Sequence, residues 1–274
     1  MYSRRSSAPR RFGTPILTAV ALVLVLVAPA QTFASDAVDG AAAPPPQDGY
    51  SMNLYEKGDF VSQKTLYWCI GASMQMMLNI IGATDDESRA SQERYMRVAR
   101  SMGPSLRQVD HGQSAGGLRG AGSSGWARGL VELGAGGYTE RGVAGYGAAV
   151  REAAFALRRT NRPVGLIVWR GAHAWVMTGF TATADPLADP DFRVTGVYVQ
   201  DPWYPRVSSI WGPGQEPNSW ISIKALKADF LPRRGGRWHA VARPRANHAG
   251  SGARGRDRAF RRGCWSPRRP GRRG

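Results

Sequence analysis

Residues 163–181 read PVGLIVWRGAHAWVMTGFT, and residues 194–201 read VTGVYVQD. Both stretches are rich in β-branched and aromatic residues and are punctuated by Pro and Gly, the composition of strands and not of helices. They predict strands over Val164–Trp169, His173–Thr181 and Val194–Gln200, with Trp220–Ile223 and Trp238–Ala242 closing the sheet. Upstream of Pro163 the period changes. Ile70, Met74, Met77, Leu78 and Ile81 recur at helical spacing and predict a helix over 70–81 that Gly82 stops. Further helices are expected over 87–102, which is more polar, over 126–133 and over 147–159. Helices first and strands second argue an α+β fold with an antiparallel sheet, against a doubly wound one.

Outward from that body the composition shifts. The chain of 274 residues carries a formal net charge of +17, but the charge sits at its ends. Residues 1–34 hold Arg4, Arg5, Arg10 and Arg11 with no acid, and residues 243–274 hold eleven arginines against Asp257 alone. The remainder is close to neutral, so its charge does not mark the body as a nucleic-acid binder. The basic start, the apolar run Ile16–Ala28 and the small residues around Thr32-Phe33-Ala34 read as a secretory signal, with Ala28-Pro29-Ala30 as the alternative cleavage site. The expected organisation is a signal over 1–34, a Pro/Ala-rich spacer over 35–51, one domain over 52–242 and a disordered Arg-rich tail over 243–274. The expected location is therefore outside the cytoplasm, secreted or held at the cell surface, with membrane contact through the signal segment only.

An exported chain with two cysteines, Cys69 and Cys264, invites a disulfide. Cys264 lies in the tail with no apolar periodicity about it, which leaves Cys69 as a lone thiol, unusual in an oxidising compartment unless the thiol has a task. Cys69 opens the apolar helix, where the helix dipole and unsatisfied backbone N–H groups stabilise a thiolate and can hold an oxyanion. The small residues Gly71 and Ala72 allow close approach of a neighbour. His173 begins one strand and Asp201 ends the next. If those strands form a hairpin closing near Leu187, His173 stands opposite Asp201 and the pair shares a face of the sheet. The three residues then supply nucleophile, base and orienting acid. Gln63, six residues before Cys69, offers a side-chain amide to the same oxyanion.

The segment Gln63-Lys-Thr-Leu-Tyr-Trp68-Cys69-Ile-Gly-Ala72 resembles the active-site region of papain-like cysteine peptidases. His173-Ala-Trp-Val-Met-Thr-Gly179 and Val199-Gln-Asp201-Pro202 are similar to bacterial members of that superfamily, the group of double-glycine leader peptidases in particular. The resemblance implies a helical lobe packed against an antiparallel sheet lobe, with Cys69 as nucleophile, His173 as base and then acid, Asp201 as orienter and Gln63 as oxyanion donor. It covers roughly residues 52–205. It departs at Ile70, which follows the nucleophile where Gly or Trp is common, and in having Asp and not Asn at the third position.

Trp68 and Trp175, beside these candidates, are expected to contribute to substrate binding, with Trp203 and Trp211 as further groove residues. Gly120-x-Gly122-x-x-Gly125 matches a dinucleotide fingerprint by letter only, since no strand precedes it. His111, His173, His239 and His248 lack metal-ligand spacing, so no metal and no cofactor is expected. The expected protein is a monomeric thiol hydrolase acting on a peptide or protein substrate, with no specific nucleic-acid partner. The alternatives are a non-catalytic binding module on the same scaffold and a transglutaminase- or amidase-like acyl transferase using the same triad.

Overall fold

The computed structural model describes residues 49–103, 120–233 and 235–242. The signal, the Arg-rich tail, His111, His248 and Cys264 lie outside the described residues. The body is α+β. Strand β1 (Tyr50–Asn53) leads into helices α1 (Cys69–Gly82), α2 (Arg89–Met102) and α3 (Ser123–Glu132). Strand β2 (Thr139–Ala144) and helix α4 (Tyr146–Thr160) precede the run β3 (Val164–Val168), β4 (His173–Ala182) and β5 (Val194–Gln200). A short hairpin, β6 (Val207–Ser208) and β7 (Gly212–Pro213), is followed by β8 (Ser219–Ser222), α5 (Ile223–Leu226) and β9 (Arg237–Ala242).

The predicted division into helices and then strands holds only in outline, because β1 and β2 lie among the helices. Both escape a hydrophobicity reading: β1 is YSMN and β2 is TERGVA, strands at the margin of the sheet with half-exposed side chains. Among the described residues, strand structure is already present at Tyr50, two residues ahead of Met52, where the domain was expected to begin. Gly82 is the last residue of α1, and it is Ala83, at φ 50°, that takes the left-handed cap and donates its N–H to Asn79.

Seven strands form one antiparallel sheet in the order β2-β9-β3-β4-β5-β8, with β1 paired to the far half of β4. Strand β4 is the spine. Its first half pairs with β3 (Val168 opposite His173), its second half with β1 (Tyr50 opposite Ala182), and its other edge with β5. All ten of its residues are buried, because the sheet is covered on both faces. Met74, Met77, Trp126 and Leu130 from α1 and α3 pack with Ile167 and Val176 on one face. Ala153 and Leu157 of α4 pack with Leu166, Trp175 and Phe180 on the other. A register shift between Met177 and Gly179 keeps Phe180 and Ala182 on the same face as Trp175 and Met177 despite the change of parity.

Helix α1 is positioned by close contacts. A Cβ on Gly71 would lie 2.8 Å from the backbone oxygen of Gln92, so the neighbour whose close approach this small residue allows is α2. Gly125 of the literal dinucleotide fingerprint has an equivalent explanation. It lies inside α3, where any side chain would collide with the Ala99 carbonyl of α2. The Ser73 hydroxyl donates to Ala174 O at 3.4 Å, tying α1 to β4. Buried Gln92 supports the chain leading to Cys69: its Oε1 accepts the Lys64 N–H at 2.6 Å and its Nε2 donates to Ser62 O at 3.2 Å.

Candidate active site

Cys69 is the first residue of α1, and no side chain caps that end. No acidic residue stands in the first turn. The unsatisfied N–H groups of a helix start are therefore left open at the thiol. Cys69 is partly exposed and is a free cysteine.

His173 and Asp201 come together, though not as a directly opposed pair. The β4–β5 register places Val176 opposite Gln200, which is two residues away from the register that would set His173 against Asp201. The irregularities at Thr181/Ala182 and Met177/Gly179 cancel, since Ala182 opposite Val194 and Val176 opposite Gln200 stand in the same register, so the offset comes from a connection centred on Ala188 and not on Leu187. A displacement of two keeps each side chain on its original face, since the strand period is two. The contact is thus diagonal across the strand ends. His173 Nε2–H donates to Asp201 Oδ1 at 2.7 Å, with the imidazole only 4% exposed and the carboxylate 0%. That bond leaves Nδ1 as the ring nitrogen not committed to Asp201, and Cys69 lies close enough to raise the pKa of the ring and opens on the same cleft.

Burial by itself would push the His173 pKa down. The Asp201 charge and hydrogen bond, joined by the hydrogen bond and charge of Cys69, outweigh it and hold the imidazole up at about 9, against an ordinary 6.5. At neutral pH this ring is a cation between two acidic groups.

Asp201 does a second thing. Its Oδ1 also accepts the Trp203 N–H at 2.8 Å, and its Oδ2 accepts the Gln215 N–H at 3.0 Å. One buried carboxylate therefore grips the histidine and both ends of the segment that carries the β6–β7 hairpin. Trp203 meets the imidazole edge-on, with ring centroids 6.2 Å apart.

Cys69 and His173 open together on a cleft of about 340 Å³, also lined by Tyr67, Trp169, Trp203 and Val207. Of the aromatic residues expected there, Trp203 lines it and Trp211 stacks on Trp169 at 5.8 Å behind it. Trp68 and Trp175 do not line it: Trp68 packs toward α2 with the Arg89 guanidinium 5.1 Å above its ring, and Trp175 is buried in the core beneath the sheet. Gln63 is buried and also outside the lining. Its Nε2 donates to Thr65 O at 2.7 Å, while its N–H donates to Pro202 O at 2.8 Å and its carbonyl accepts from Arg206 at 2.7 Å. The backbone before Cys69 is in this way stitched to the backbone after Asp201.

Trp169 was not singled out from sequence. It stacks on His173 with centroids 4.3 Å apart and planes 22° from parallel. It does so from the β3–β4 turn, where Trp169 (φ 53°), Arg170 (φ 57°) and Gly171 (φ 101°) are all left-handed. For a bulky residue that conformation costs about 1–3 kcal/mol. Only the Gly171 signal was visible in the letters, and it marks the turn without revealing what the turn presents.

No group of three or more His, Cys, Asp or Glu side chains among the described residues is arranged to hold a metal ion. A larger groove of about 690 Å³ lies along α4, and none of Cys69, His173 or Asp201 lines it. No family model matches the chain, and no curated protein is significantly similar to it.

Proposed function

We propose that the chain is an exported cysteine peptidase of papain-like architecture, in which α1 and the sheet present a Cys69–His173–Asp201 triad. The observation that carries this reading is the buried His173–Asp201 pair with Cys69 in contact with the same ring at an uncapped helix start. The imidazolium is the counter-charge a thiolate needs. The thiolate attacks a peptide or isopeptide carbonyl carbon, and the oxyanion forms against the first-turn N–H groups of α1. One N–H of the Gln63 amide is engaged by Thr65 O, and the other is the one available for an oxyanion role. His173 Nδ1–H protonates the leaving nitrogen as the C–N bond breaks. Water then adds to the thioester, Nδ1 takes its proton, and the acid departs while Cys69 is restored.

The cleft also supports a substrate class. Apart from the Cys69–His173 pair, none of the described residues lining it is ionisable to a charged form at neutral pH. Leu66 (47% exposed) and Val207 (70%) border it, and Ile210 (57%) stands nearby in the β6–β7 turn. Exposed apolar groups gathered at a cleft mark a recognition surface, and this one suits an unfolded peptide segment with apolar side chains beside the scissile bond. In this proposal the protein acts as a monomer needing no cofactor, and the signal-like sequence of residues 1–34 supports a location outside the cytoplasm.

Iodoacetamide labelling and peptide hydrolysis by the secreted protein test the proposal. The expected result is selective alkylation of Cys69 in the folded state, with cleavage abolished in Cys69→Ala. An inert thiol, or cleavage surviving in Cys69→Ala, overturns it, and the inert thiol is what the binding-module alternative requires. Partition of a trapped acyl-enzyme to a primary amine instead of water would make the enzyme an acyl transferase.

A further inference from the structure

Asp229 lies 60 residues beyond Trp169 in sequence, in the turn that follows α5, yet it meets that residue twice. The Trp169 backbone N–H donates to Asp229 O at 2.8 Å, and the indole Nε1–H donates to Asp229 Oδ1 at 2.8 Å. Leu226 and Phe230, on either side of Asp229, are fully buried in the core, so the two acceptors are fixed in place. The indole so held is the one that stacks on His173.

We propose that Asp229 is a positioning residue for His173, acting through Trp169, which it pins in a left-handed backbone conformation so that the indole fixes the plane of the catalytic imidazole. Asp201 alone restrains the ring at one atom and leaves rotation about that hydrogen bond open. A plate laid against the ring face removes that freedom, which keeps Nδ1 directed at the thiol. The inference rests on the peptidase reading above. The ionisable groups facing His173 are Cys69 from α1, Asp201 from the end of β5 and Asp229 from the turn after α5. The carboxyl of Asp229 is raised by its burial despite the Trp169 hydrogen bond, with Asp201 adding to the rise and His173 opposing it.

The test follows the rate of Cys69 alkylation by iodoacetamide from acid to alkaline pH, alongside the unfolding midpoint, in the full-length secreted protein. The variants are Asp229→Asn, Asp229→Ala and Trp169→Phe. Asparagine keeps an acceptor for the indole and should stay within about twofold of the parent rate. Asp229→Ala and Trp169→Phe release the plate, and each should slow alkylation at neutral pH by about tenfold or more and move the histidine-dependent limb of the profile to lower pH. If Asp229→Ala fails to fold, Trp169→Phe, which retains a ring, carries the test. A parent protein that reacts normally while Trp169→Phe and Asp229→Ala keep its profile overturns this inference and leaves the peptidase reading standing. Asparagine slowing the reaction as much as alanine overturns positioning in favour of charge. A parent thiol that does not react at all overturns the peptidase reading and this inference with it.

Discussion

His173 is a buried cation whose stability in that form depends on its neighbours, and this gives the site a pH signature. Its folded pKa of about 9 stands above the unfolded value near 6.5. The pair therefore contributes its full stabilisation below about pH 6.5 and loses it as pH rises through about 9. Asp201→Asn removes the largest influence holding the pKa up and leaves burial, which pushes it down. We expect the stability gap between the parent and Asp201→Asn, measured by denaturant unfolding, to be widest in mild acid and to narrow steadily toward alkaline pH. A gap that widens with pH would mean the imidazole is neutral in the folded protein. NMR titration of the His173 ring in Cys69→Ala should likewise show a lower pKa than in the parent. Cys69, His173 and Asp201 were legible in the letters because each sits where one kind of pattern gives way to another: the opening of a helix, the start of a strand, the end of a strand. Trp169 was not, because its role comes from a left-handed turn, a stacked ring and a hydrogen bond to a residue far along the chain. Trp68 and Trp175 misled for the converse reason. Adjacency in sequence places neighbours on opposite sides of a helix start or, two along a strand, deeper in the core.

At the scale of elements, the hairpin of β4 and β5 shows how a wrong register can still give a right neighbour. The offset is even, so the face survived, and the diagonal reach of a histidine to a carboxylate made up the rest. Counting residues across a presumed turn placed its centre one residue early, at Leu187 and not Ala188, and the two irregularities in the ladder cancel. Helix α2 shows a second limit. Its polar composition reads as a solvated helix, yet Gln92 is buried and spends its amide on Lys64, Ser62 and Gln75. The helix thus secures the irregular segment that approaches Cys69. Gln92→Ala should leave the Lys64 N–H and Ser62 O without that partner and cost about 1–3 kcal/mol in denaturant unfolding. It should also slow Cys69 alkylation more than an exposed substitution on α2 such as Arg97→Ala. Equal stability to the parent would show that water replaces the amide without penalty.

The described body is built on one seven-stranded sheet with a core on each face, and β4 belongs to both. Its inward residues alternate between Val176, which meets the α1–α3 core, and Trp175, which meets the α4 core. Loss of either core deprives the same strand of support, so the two should fail together. Met77→Ala on one side and Phe180→Ala on the other should each lower the unfolding free energy, by about 2–5 kcal/mol, within a single transition seen alike by circular dichroism and tryptophan fluorescence. Two separated transitions would show that the faces are independent. The last strand to consider is the first in the chain. Residues Tyr50–Asn53 cover the half of β4 that β3 does not reach. A proteolytic cut anywhere ahead of Gly49 leaves that cover in place. A cut just beyond Asn53 would strip it and expose the ladder groups of Gly179–Ala182, a bare β edge to which a second chain can add. The position of a cut at this end thus decides whether β4 keeps its cover or offers an edge for self-association into sheets.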